Sequence, residues 1–183
     1  MITDLIVPLV TVGLAELGDK TQLSILLLSS RTKNHMQLLL GVMLAFLIVD
    51  GAAVLIGSSV ARIVPMAALK VASGIAFVLF GLLMLRQKGE SAEGKMYSDN
   101  SFFSGFVLVL LPEWGDKTQI AAGLFATEYN AFMVLAGTLI ALTLLSIIAI
   151  YLGKYIMNRI DKTMMIRFAG IAFIVLGLYS LLS

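Results

Sequence analysis

Apolar runs alternate with short polar breaks along almost the whole chain. They predict six helices, at about 5–29, 38–60, 68–86, 102–126, 132–154 and 164–182. The breaks fall at 29–34, 62–65, 87–101, 127–130 and 158–163, and the third is much the longest. The first run reads as a span and not as a secretory signal, because it lacks a basic leader and carries Glu16 and Asp19 inside it.

Composition sharpens this pattern. Of 183 residues, 60% are hydrophobic and 13% charged, and the mean hydropathy is +1.00. Soluble domains are about 45–50% apolar and roughly 25% charged, so an ordinary soluble globule is excluded. The chain reads as an all-α integral membrane protein. With no cysteine, disulfides, thiolate metal sites and cysteine nucleophiles are excluded as well. The net charge is +2 and the basic residues are dispersed, which argues against a nucleic-acid partner. Arg31, Lys33, Arg86, Lys88, Lys95, Lys154, Arg159, Lys162 and Arg167 fall to one side of the expected spans, against only Arg62 and Lys70 on the other. The positive-inside bias then puts both termini outside and the first, third and fifth loops in the cytoplasm.

The chain also repeats itself. Glu16-Leu17-Gly18-Asp19-Lys20-Thr21-Gln22 returns 97 residues later as Glu113-Trp114-Gly115-Asp116-Lys117-Thr118-Gln119. At an offset of 96, Gly41, Gly57, Gly74 and Gly81 find mates in Gly137, Gly153, Gly170 and Gly177. Each half therefore holds three spans, with the polar motif in the first and small residues suited to close helix packing in the others. Three is odd, so the second half enters the membrane from the opposite face. The expected architecture is six transmembrane helices as two inverted three-helix repeats, 1–88 and 102–183, joined by a polar cytoplasmic linker at 89–101. Such repeats place a transport site near the midplane, where the halves meet.

Five acids fall within the expected spans: Glu16, Asp19, Asp50, Glu113 and Asp116. An unpaired charge at the bilayer centre costs at least about 2.5–3.5 kcal/mol, so these groups demand partners or a polar cavity. On a continuous helix Glu16, Asp19 and Lys20 share one face, as do Glu113, Asp116 and Lys117. Gly18 and Gly115 interrupt both helices, and Pro112 removes a backbone donor, so local unwinding would turn free carbonyls toward a cavity. Thr21, Gln22, Thr118 and Gln119 add neutral oxygens beside the carboxylates. Four carboxylates and two lysines leave about −2, which a divalent cation would balance. All the donors are hard oxygens, which suits Ca²⁺, Mg²⁺ and Mn²⁺. Protons compete for the same oxygens, which opens a route to metal/proton exchange. Lys20 and Lys117 have no lone pair to donate and read as counter-charges. The plainer alternative is a pair of intrahelical ion pairs, Glu16–Lys20 and Glu113–Lys117. Asp50 has Ser146 as its mate at an offset of 96, which suggests proton handling or an accessory role beside a simple packing hydrogen bond. Trp114 reads first as a space-filling core residue and second as a gate.

Both motifs fit the E-x-G-D-[KR]-[TS] signature, and the chain resembles the calcium/manganese–proton exchanger family over essentially its whole length. That family includes a Golgi exchanger, chloroplast manganese transporters and bacterial manganese exporters. The resemblance implies an antiporter that moves Mn²⁺ or Ca²⁺ out of the cytosol against protons, with no resident cofactor. It implies a cation site of Glu16, Asp19, Glu113 and Asp116, with Thr21 and Thr118 as accessory ligands. A bacterial or archaeal plasma membrane is the expected location. A passive cation channel, an exporter of small cationic solutes and a structural membrane protein are the rival readings. An enzyme is disfavoured, since there is no cysteine and the single histidine, His35, lies in an expected loop.

Overall fold

The computed structural model describes residues 2–17, 19–30, 32–86, 100–152 and 162–182, and every regular element among them is helical. The elements are α1 (Ile2–Glu16), α2 (Lys20–Ser29), α3 (His35–Val60), α4 (Met66–Arg86), α5 (Ser101–Glu113), α6 (Lys117–Glu128), α7 (Ala131–Ile147) and α8 (Lys162–Leu182). A π-helical turn over Ile148–Leu152 extends α7. Three stretches, His35–Val60, Met66–Leu83 and Ala131–Leu152, are long and apolar enough to cross a membrane. Large apolar side chains such as Leu55 and Ile56 on α3, Leu83 on α4 and Leu144 on α7 point outward. Acyl chains are the natural solvent for such a surface.

The runs 5–29 and 102–126 are each split in two. α1 ends at Glu16 and α2 opens at Lys20, while α5 ends at Glu113 and α6 opens at Lys117. The helix faces expected to align each glutamate with the aspartate and lysine that follow it therefore do not exist. Local unwinding, the other expectation for these segments, is what occurs. The break expected at 127–130 is shorter, since Thr127 and Glu128 still belong to α6. Asn130 then caps α7 by accepting from the N–H groups of Phe132 and Met133 at 3.1 and 3.2 Å. Asn100 caps α5 in the same way. His35 is the first residue of α3 and not part of a loop. The expected linker lies mostly on 87–99, outside the described residues, as does Gly153; its last residue, Ser101, opens α5.

The main helix pairs join the two halves of the chain. α1 runs parallel to α7, α3 runs parallel to α5 and α6 in turn, and α4 packs antiparallel on α8. Glycines set each approach. A Cβ at Gly41 would strike the Phe102 carbonyl, and one at its mate Gly137 would strike the Leu5 carbonyl. A Cβ on Gly57 would strike the Gly123 carbonyl. On α4 and α8, Gly74 faces Gly177 and Gly81 faces Gly170, so each contact recurs with its mates exchanged. Phe77 stacks between Phe125 and its own mate Phe173, with ring centroids 4.7 and 5.8 Å away. These contacts make the glycines packing residues, as their spacing suggests.

Two alanine substitutions on one helix separate packing from propensity. Gly57→Ala puts a methyl into backbone, which costs about 1–3 kcal/mol. It should lower the melting temperature in detergent by about 2–10 °C. Gly51→Ala meets nothing within 4 Å and should leave the melting temperature unchanged or raise it slightly, because alanine is the better helix former. Equal losses in both variants would contradict the close approach of α3 to α6.

Candidate cation site

The two helix breaks have the same construction. At the first, the Asp19 N–H donates to the Glu16 carbonyl at 3.1 Å; at the second, the Asp116 N–H donates to the Glu113 carbonyl at 3.2 Å. Asp19 and Asp116 then stand at the N-cap positions of α2 and α6, both with extended backbone. An aspartate there ordinarily accepts from the first backbone N–H groups of its helix, but neither side chain does so. Both carboxylates are thus free for other partners while remaining at the positive end of a helix dipole. Gly115 makes the second break possible, with a φ of 87° in the left-handed region that favours glycine. Pro112, in the last turn of α5, withholds one N–H just before the break.

The breaks bring the two motifs face to face. Glu16 and Glu113 are buried, and each is held by the threonine of the opposite motif. Thr21 Oγ1 donates to Glu113 Oε1 at 2.5 Å, and Thr118 Oγ1 donates to Glu16 Oε1. Lys117 Nζ donates to Asp19 Oδ2 at 3.0 Å across the same interface. The intrahelical pairing of Lys117 with Glu113 is thereby replaced by a bridge between the halves. The side chain of Lys20 lies outside what the structure describes.

Three of the four expected ligands converge. Glu16, Asp19 and Asp116 each offer a carboxylate oxygen, and these atoms lie within 4.8 Å of one another. Two oxygens on opposite sides of one calcium ion are about 4.6–5.2 Å apart, so a single cation could touch all three. Glu16 Oε2 is buried without a hydrogen-bond partner among the described residues, which leaves one carboxyl oxygen of the group unspent. Counted as ionised, these three carboxylates and the Lys117 ammonium sum to about −2 among the described side chains, and electrostatics links Lys117 to all three. Glu113 stands outside this group, with Oε1 engaged by Thr21.

The remaining sequence candidates divide. Asp50 is buried on α3 within electrostatic reach of Glu16 and Glu113, so it belongs to the site's surroundings. Gln119 bridges the second break to α3: its Oε1 accepts from the Gly115 N–H at 2.6 Å, and its Nε2 donates to the Val49 carbonyl at 3.1 Å. Gln22 is fully buried. Trp114 is 60% exposed and points away from the core, which overturns its reading as a space-filling residue. It sits in the break itself, where the chain turns outward between α5 and α6. The Val49 carbonyl was missed from sequence, since any residue carries one.

Comparison with known proteins agrees with this chemistry. The family described as divalent cation/proton antiporter GDT1 matches residues 4–92 and 101–183. A Vibrio cholerae protein named as a proposed manganese exporter is 31% identical over 82% of this chain and 76% of its own. A GDT1-like protein of Synechocystis is 26% identical over 98% of this chain and 97% of its own. A GDT1-like protein of Schizosaccharomyces pombe is 22% identical over 89% and 83% respectively. No solved structure matches the chain. Carrying both acidic motifs and matching along nearly its whole length, the chain belongs to the GDT1 family of divalent cation/proton antiporters.

Proposed function

We propose that this protein exchanges a divalent cation, Mn²⁺ ahead of Ca²⁺, for protons and exports the metal from the cytosol across the cell membrane. The observation that carries the reading is the convergence of Glu16, Asp19 and Asp116 between two broken helices, with Glu113 held nearby. All four are ligands in this reading, Glu113 joining when Thr21 lets go, and Thr21 and Thr118 are accessory. The exchange of mates in the glycine, phenylalanine and threonine–glutamate contacts supports six spans arranged as two inverted repeats, 1–88 and 102–183. The distribution of basic residues supports termini outside. Mn²⁺ is placed first because the Vibrio relative is named for manganese, and both ions accept oxygen ligands.

Exchange follows from the cost of charge in a membrane. With neither metal nor protons bound, the uncompensated carboxylates resist moving through the bilayer interior. With a divalent cation, or with protons in its place, the group approaches neutrality and can reorient. Lys117 pairs with Asp19, so in this reading a cation that binds Asp19 displaces an ammonium.

Uptake into proteoliposomes tests this directly, with Mn²⁺ and Ca²⁺ offered separately and with and without an imposed pH gradient. Flux should rise with the gradient and fall to the liposome background in Glu16→Gln and in Glu113→Gln. Flux indifferent to the gradient would instead indicate a channel, and no flux of either metal would point to organic cations or a structural role.

Proton competition makes a second prediction. Mn²⁺ affinity in detergent, followed by the loss of free-ion EPR signal, should weaken as pH falls. The slope is at most about tenfold per pH unit for each proton displaced, because bound metal requires deprotonated carboxylates. Affinity independent of pH between 5 and 8 would contradict shared oxygens.

A further inference from the structure

The two motif glutamines, mates at an offset of 97, have opposite fates. Gln119 is satisfied at both ends of its amide, by the Gly115 N–H and the Val49 carbonyl, and so ties the second break to α3 beside Asp50. Gln22 is 1% exposed, yet neither its Oε1 nor its Nε2 has a hydrogen-bond partner among the described residues. Sequence offset makes the Leu145 carbonyl of α7 the counterpart of the Val49 carbonyl, next to Ser146, the mate of Asp50. Ser146 is also buried, and its Oγ is unpartnered as well. Just beyond, α7 passes into the π-helical turn at Ile148, whereas the matching stretch of α3 stays α-helical. Such turns interrupt the regular hydrogen-bond ladder of a helix and recur at functional sites.

A buried amide with both ends unpaired costs free energy that folding would ordinarily avoid. Its survival in one repeat, opposite a fully paired mate in the other, is what a two-state device leaves when caught in one state. We propose that Gln119 and Gln22 are alternating latches: Gln119 is closed on the Val49 carbonyl of α3 here, and in the opposite-facing conformation Gln119 releases while Gln22 closes on the Leu145 carbonyl of α7. The inference rests on the inverted-repeat exchanger reading above, in which the halves trade conformations as access alternates. The glutamines are positioning residues. They hold one helix break or the other against the opposite half, and so decide which face the carboxylates serve.

The test compares Gln22→Leu, Gln119→Leu and the double variant in proteoliposomes of known orientation, with the apparent KM for Mn²⁺ measured on each face. A ligand's apparent dissociation constant is its intrinsic one divided by the fraction of protein competent to bind it. Gln119→Leu should therefore lower the KM on one face and raise it on the other, by about three- to tenfold, the scale of one or two hydrogen bonds. Gln22→Leu should move both in the reverse sense, and the double variant should return the ratio of the two toward wild type. A loss on both faces in either variant, or no change in the ratio, overturns the latch. Wild-type Mn²⁺ flux in the same vesicles tests the exchanger reading separately.

A second readout needs no transport. A Cβ built at Gly123 lies 3.8 Å from Ala53 Cβ, the usual separation across a disulfide, and the chain has no cysteine of its own. Oxidative cross-linking of Ala53→Cys/Gly123→Cys should fall about threefold when Gln119→Leu is added, and should hold or rise with Gln22→Leu. Equal yields in the two backgrounds, or a fall in both, overturn the proposal.

Discussion

A carboxylate taken out of water must be given a partner, and for Glu16, Glu113 and Asp19 that partner comes from the other half of the chain. Thr118 serves Glu16, Thr21 serves Glu113 and Lys117 serves Asp19. An unpaired charge in hydrocarbon costs several kcal/mol, so the burial of these three acids draws on both halves. The site and the assembly of the two halves are one requirement seen twice. The four main helix pairs, α1 with α7, α3 with α5, α3 with α6, and α4 with α8, likewise all join the halves.

Breaking two helices is what makes the cross-partnering possible. A continuous helix would hold Glu16, Asp19 and Lys20 in a fixed stack and favour pairing within the motif. The interruption lets Asp19 and Asp116 occupy N-cap positions without spending their oxygens on capping. The carboxylates thus stand where helix dipoles favour negative charge, with their lone pairs still available to a cation. Irregular backbone of this kind survives in a membrane only where protein or a polar cavity surrounds it. Here the opposite half of the chain provides that surrounding.

Close helix contact supports the arrangement from outside the site. Gly74 with Gly177 and Gly81 with Gly170 let α4 and α8 meet backbone to backbone, and Phe77 and Phe173 carry that pair onto Phe125 of α6. Gly41, Gly57 and Gly137 do the same for the helices that bear the motifs. Side chains larger than hydrogen at these points would separate the breaks, and the ångström-scale match between Glu16, Asp19 and Asp116 would be lost.

Much of this could be read from the order of residues. The apolar runs marked the helices, because the bilayer sets their length and polarity. The duplicated Glu-x-Gly-Asp-Lys-Thr-Gln segments marked the acids, because buried charge is too costly to appear twice by accident. Gly18 and Gly115 marked the unwinding, since glycine weakens a helix. What sequence alone left undecided was pairing at a distance. Lys117 had Glu113 four residues away as its local choice, and only the packed helices bring it to Asp19, 98 residues distant. Trp114 reads as core by its apolar bulk, yet the break turns it outward. Gln22 and Gln119 are equivalent as letters, and their difference exists only in three dimensions. Periodicity and composition act within a few turns of helix, whereas these partnerships depend on how the two halves close on one another.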